Sequence, residues 1–254
     1  MERIDTIQRI ERDFEEGAGP FSDVTFPEER LLRTIATDDD GEVWSFSMED
    51  KMCLLSAFSM LDYNRDANQL VDNLIELHEK RPKWFDPMAC PDGTVGVSHV
   101  FEKIGFRYPN RDANAWVKNQ RIVRHQYHGK WAELLMETGL DAERLVERLE
   151  SDGFNCLKGV KIAPMYARFT SEYVVELDNL WELDIPVDRH VRKLSSDLFE
   201  RFDGDTTTDD EIREIWRLYG VRENVNRHVV DGALWQIGNN WSEWGEDYWN
   251  KVTA

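Results

Sequence analysis

The chain is poor in cysteine, in cations and in long apolar runs. Its three cysteines, Cys53, Cys90 and Cys156, stand far apart and form no CxxC pair. That count excludes a zinc ribbon or a four-cysteine iron–sulfur cluster, and no cofactor is expected. No stretch approaches the ~18 apolar residues of a membrane span. The opening "MERIDTIQRIERDFEE" is charged throughout, unlike a secretory signal. A cytoplasmic protein with no membrane partner is expected. Lysine is scarce, 10 residues against 21 arginines, and 31 basic residues face 50 acidic ones for a formal net charge of -19. Such an excess reads as the hydrated carboxylate surface of a protein adapted to high salt. It says little against a nucleic-acid partner, because what counts is where the few cations lie.

What is present supports a packed core. Hydrophobic residues make up 41% of 254 residues and ten are Trp, which rules against disorder. Helical periodicity dominates. Ile4, Ile7, Ile10 and Phe14 share one face, and Ser47 with Asp50 starts a second helix in a near capping box. Amphipathic runs follow to the end of the chain. "SEYVVEL" at 171–177 is the best strand candidate and reads equally well as helix. The expectation is an all-α chain of about a dozen helices, a single domain with two lobes around a cleft. The first lobe covers about 1–110 and the second about 111–254, with the final helices closing the cleft.

One stretch breaks the acidic rule. Residues 103–130 hold Lys103, Arg107, Arg111, Lys118, Arg121, Arg124 and Lys130 against a single acid, Asp112. Lys118, Arg121 and Arg124 recur at helical spacing, so they share a face and are expected to meet phosphates. His125 and His128 have a spacing that suits a metal, but no third ligand accompanies them. A calcium loop around Asp203, Asp205, Thr207 and Asp209 fails because Thr208 stands where glycine is required. Thr208 instead reads as an N-cap with acids in the first turn. No metal is expected. Trp241, Trp244 and Tyr248 read as a closing helix packed on the core.

"DGFNCLKGVKIAPMYARF" carries the chemistry. Asp152 and Gly153 stop one helix, Gly159 suits a tight turn, and Lys161 to Phe169 begins another. Helix, short hairpin, helix is an outline in which hairpin amides and a helix N-terminus grip a phosphate. Asp188 follows in "IPVD" at the start of a further helix, where a carboxylate is favoured. In "DGALW", Asp231 and Trp235 lie one turn apart on one face. A lysine amine is protonated at its ordinary pKa of about 10.4, and burial among apolar groups lowers it. Val160, Ile162, Ala163 and Met165 around Lys161 suit that role.

With these segments the chain resembles the helix–hairpin–helix DNA glycosylases with a lysine nucleophile, most like the archaeal 8-oxoguanine DNA glycosylase family. "KIAPMYARF" is similar to the segment in which the catalytic lysine is followed seven residues on by a second basic residue, here Arg168. "IPVD" matches the motif of the catalytic aspartate, and "DGALW" an Asp-x-x-x-Trp pair that contacts the flipped base. The resemblance covers roughly 155–240. The Lys-to-Asp interval is shorter than the family's, and no equivalent of its N-terminal glutamine is placed. It implies a monomeric glycosylase with lyase activity on double-stranded DNA bearing an oxidised purine. Lys161 would be the nucleophile and Asp188 the stabilising acid, with Asp231 and Trp235 at the base. Lys158 and Gly159 would sit in the hairpin on the backbone. Lys158 stays a competing nucleophile, and a DNA-binding protein without catalysis stays an alternative.

Overall fold

The computed structural model describes residues 2–35, 46–62, 65–199, 207–223 and 225–253, with side chains from residue 5 onward. The side chain of Ile4, the acidic run at 37–42, and Asp203 and Asp205 lie outside the described residues. Thirteen α-helices and no β-strand are found among the described residues. The chain divides into two units. One joins residues 1–24 to 181–254, and the other is continuous from Thr25 to Leu180. The lobes drawn from the sequence at about residue 110 are a different partition, since 110 falls within the first turn of a helix of the continuous unit.

The continuous unit contains α2 (Pro27–Ile35), α3 (Met48–Leu61), α4 (Ala67–Lys80), α5 (Thr94–Ile104), α6 (Pro109–Gln126), α7 (Trp131–Glu137), α8 (Ala142–Ser151) and α9 (Gly159–Tyr173). Residues 52–61 of α3 are all buried, so this helix is apolar on every side and forms the centre. Its start is the capping box read from the sequence: Ser47 accepts from the Asp50 amide, and the Asp50 carboxylate accepts from the Ser47 amide. α2, α4, α6, α7 and α9 pack on it. In its first turn, Glu49 caps a different helix, accepting from the Trp131 amide at 2.9 Å and the Ala132 amide at 2.7 Å. "SEYVVEL" forms no strand. α9 runs through Tyr173, and beyond it Asp178 makes one isolated parallel bridge with Asp141.

The other unit holds α1 (Glu2–Glu15), α10 (Arg189–Leu198), α11 (Asp209–Glu223), α12 (Arg227–Asn239) and α13 (Glu246–Thr253). Ile7 and Ile10 of α1 pack with Val191 and Leu194 of α10, Ile212 and Trp216 of α11, and Leu234 and Ile237 of α12. The buried Trp216 indole is satisfied by Ser195 Oγ at 2.8 Å. Thr208 caps α11 as expected, its hydroxyl accepting from the Glu211 amide at 3.3 Å. The closing segment is not one regular helix. Residues 241–245 form a π turn, and a side chain at Gly245 would collide there with the Ile237 carbonyl. Tyr248 and Trp249 of α13 then join the core.

Candidate nucleic-acid interface

α8 and α9 are joined by a seven-residue connection where the sequence suggests a hairpin, and Gly159, expected in the turn, is the first residue of α9. Gly153, at φ 72°, ends α8, and the Phe154 amide reaches back to the Leu149 carbonyl at 3.1 Å. Cys156 takes a left-handed φ of 62° and Gly159 one of 84°. Nothing crowds the missing Cβ of Gly159, so glycine is needed there for its backbone alone. The amides of Cys156, Leu157 and Lys158 make no main-chain hydrogen bond among the described residues. Those of Gly159, Val160 and Lys161 open α9, whose N-cap residue Lys158 supplies no side-chain cap. Among the described residues, six consecutive amides therefore have no main-chain partner at one helix entrance.

The two lysines differ in setting. Lys158 is exposed, with its ammonium 3.7 Å from Glu150 of α8. Lys161 is exposed in the first turn of α9, Val160 beside it is 60% exposed, and Ile162 is half-buried. This corrects the expectation of a lysine screened by apolar neighbours. Ala163 and Met165 are buried in α9, yet Lys161 itself stays exposed. Arg168 is half-buried, its guanidinium 5.0 Å from the Phe169 ring and 6.0 Å from that of Phe26. It lies in the field of two carboxyls, Glu28 of α2 and Glu172. Burial pushes Glu28 up to about 8, against the pull of Arg168. Sequence reasoning missed Glu28, although Pro27 followed by two acids is a helix-start signal.

The basic helix α6 does two things. On its outer side a groove of about 420 Å³ is lined by Lys118, Arg121, His125, Asn114 and Gln126. Arg124 leaves that set. It donates to the Pro87 carbonyl at 2.8 Å and the Cys90 carbonyl at 2.7 Å, and pairs with Asp92 at 2.7 Å. Arg121 shares Asp92 at 3.6 Å. The hydrogen bond from Arg124 holds the Asp92 carboxyl below the usual range. Of the three expected phosphate contacts, Lys118 is exposed, Arg121 is shared with Asp92, and Arg124 ties down the loop before α5. On its inner side α6 reaches the hairpin through Asn119, a residue that sequence reasoning passed over.

Asp188, Asp231 and Trp235 belong to the other unit. Asp188 is the N-cap of α10, one carboxylate oxygen accepting from the His190 and Val191 amides, each at 2.8 Å. Its second oxygen faces neither of those amides. Asp231 is buried on α12, and Trp235 is half-buried one turn on. Trp235 is absent from the unit's apolar core, which takes Val230, Ala233, Leu234 and Ile237 from that helix. No group of three or more His, Cys, Asp or Glu with metal-holding geometry occurs among the described residues, and no described helix is long and apolar enough to cross a membrane. The chain matches no family model. No curated protein matches it in sequence.

Proposed function

We propose that the chain is a base-excision DNA glycosylase with lyase activity, acting on an oxidised purine such as 8-oxoguanine in double-stranded DNA. The observation that carries this reading is the hairpin between α8 and α9. Among the described residues it leaves six amides without main-chain partners, and it puts a lysine in the first turn of the helix that follows. Amides so arranged suit a backbone phosphate. A lysine in that turn suits attack on the adjacent sugar.

In this reading a flipped nucleotide presents its C1′ to the Lys161 amine. The new C–N bond forms as the bond from C1′ to the base breaks, and the base leaves with that electron pair and takes up a proton. Loss of the amine proton and opening of the sugar ring give an imine. Removal of a C2′ proton then expels the 3′ phosphate. Asp188 stabilises the positive charge that builds on the sugar, while Asp231 and Trp235 read and stack the base. Because Lys161 is exposed, its desolvation in this reading falls to the DNA laid over the α9 entrance.

That same exposure favours a second reading, a helix–hairpin–helix protein that binds DNA without catalysis. Borohydride trapping separates the two. Duplexes bearing 8-oxoguanine, an abasic site or no lesion are incubated with protein and reductant. The glycosylase reading predicts a covalent adduct on the damaged duplexes alone. Binding to all three with no adduct on any would leave only the second reading.

A further inference from the structure

We propose that Asn119 of α6 is a positioning residue for DNA binding, holding the hairpin in the shape that exposes its amides; this rests on the reading of the hairpin as the phosphate-binding element. Asn119 is fully buried. Its side-chain amide donates to the Asn155 carbonyl at 2.8 Å, and its side-chain carbonyl accepts from the Asn155 amide at 2.6 Å. The pair copies a strand ladder with one side chain in place of a strand. Asn155 is thereby satisfied on both sides, immediately before Cys156, whose left-handed backbone is unfavourable for a residue with a side chain.

Two further contacts, one from α6 and one from its C-cap residue, act on the same connection. Arg111 donates to Cys156 Sγ at 3.3 Å, and the Tyr127 hydroxyl donates to the Asp152 carboxylate. α6 is itself fixed near its start, where the buried Asp112 accepts from Arg65 at 2.8 and 3.0 Å. The helix thus works as a splint beneath the hairpin. A side-chain amide sets a donor atom and an acceptor atom side by side in one plane, and the pairing uses both. Aspartate keeps the acceptor for the Asn155 N–H but sets a second oxygen against the Asn155 carbonyl, so the pairing is half lost and half repulsive. Lys118 is the preceding residue and faces the outer groove. One rigid helix therefore sets the distance between the hairpin amides and that cation.

The test uses the full chain and a duplex with a tetrahydrofuran abasic analogue. Affinity and amide hydrogen exchange over 155–158 are measured for wild type, Asn119→Asp and Val123→Ala. Val123 is a buried apolar residue of α6, and its loss loosens the helix without removing a hydrogen bond to the hairpin. The expected result is binding about tenfold weaker for Asn119→Asp, with faster exchange at 155–158, while Val123→Ala stays within about twofold of wild type. Wild-type affinity in Asn119→Asp, or an equal loss in both variants, would overturn the positioning role. Failure of the wild type to bind the duplex is a separate result, and it removes the functional reading together with the role built on it.

Discussion

At the scale of single residues, charge and backbone conformation decide more than residue type. Glu28 is 3% exposed, and one of its carboxylate oxygens has no hydrogen-bond partner among the described residues. Its pKa is raised, so between about 4.5 and about 8 the folded chain binds a proton that the unfolded chain does not. Stability from this group therefore falls as pH rises through that window and levels off above it. Glu28→Gln removes the penalty. Denaturant unfolding at pH 8.5 should find the variant more stable than wild type by something on the order of 3 kcal/mol, with the difference shrinking towards pH 5. Equal stability at both pH values would show that the buried acid costs nothing. Gly159 is a second such residue. Alanine at its φ of 84° is strained by about 1 kcal/mol or more and tilts the amides at the α9 entrance. Thermal unfolding of Gly159→Ala should show the loss.

At the scale of elements, α6 shows why a basic helix is not uniformly a phosphate surface. Lys118→Ala should weaken duplex binding and reduce the salt slope by about 1 with little change in stability. Arg124→Ala should leave the slope nearly unchanged and speed amide exchange over 87–92, where its partners lie. Equal salt slopes for the two variants would erase that distinction. Their difference is hidden in the sequence, because Asp92 lies 32 residues before Arg124 and only the fold brings them together. Local signals were readable. The boxes at Ser47 and Thr208, the cap at Asp188 and the stop at Gly153 depend on residues within three or four positions. α2 escaped notice because its nine residues supply barely two turns of apolar pattern. "SEYVVEL" read equally as strand or helix because β-branched residues sit at its centre, and α9 carries on into it as far as Tyr173. Asn119 gave no signal, since a buried Asn among polar helix residues is visible only once its partner Asn155 is placed.

At the scale of the whole molecule, the division into units depends on contacts far apart in sequence. Thr6 donates to the Val252 carbonyl at 3.1 Å, and Tyr248 to Asp13 at 3.0 Å. No composition shift near residue 24 or 180 announces them. The all-α class was readable, because periodicity sums over many residues. The net charge of -19 also acts at this scale. Like-charge repulsion weakens as salt screens it, so the melting temperature should climb on going from about 0.1 M to multi-molar KCl. A flat or falling melting curve would remove the high-salt reading of the acidic surface. DNA binding responds to salt in the opposite sense, and the two titrations belong together.

The central claim is that Lys161 bonds to the sugar. The direct measurement is peptide mapping by mass spectrometry of the borohydride-trapped adduct on an 8-oxoguanine duplex, with Lys161→Gln and Lys158→Gln in parallel. The account predicts sugar mass on Lys161, no adduct in Lys161→Gln, and an adduct retained with weaker binding in Lys158→Gln. Sugar mass on Lys158, or an adduct that survives loss of Lys161, would contradict it.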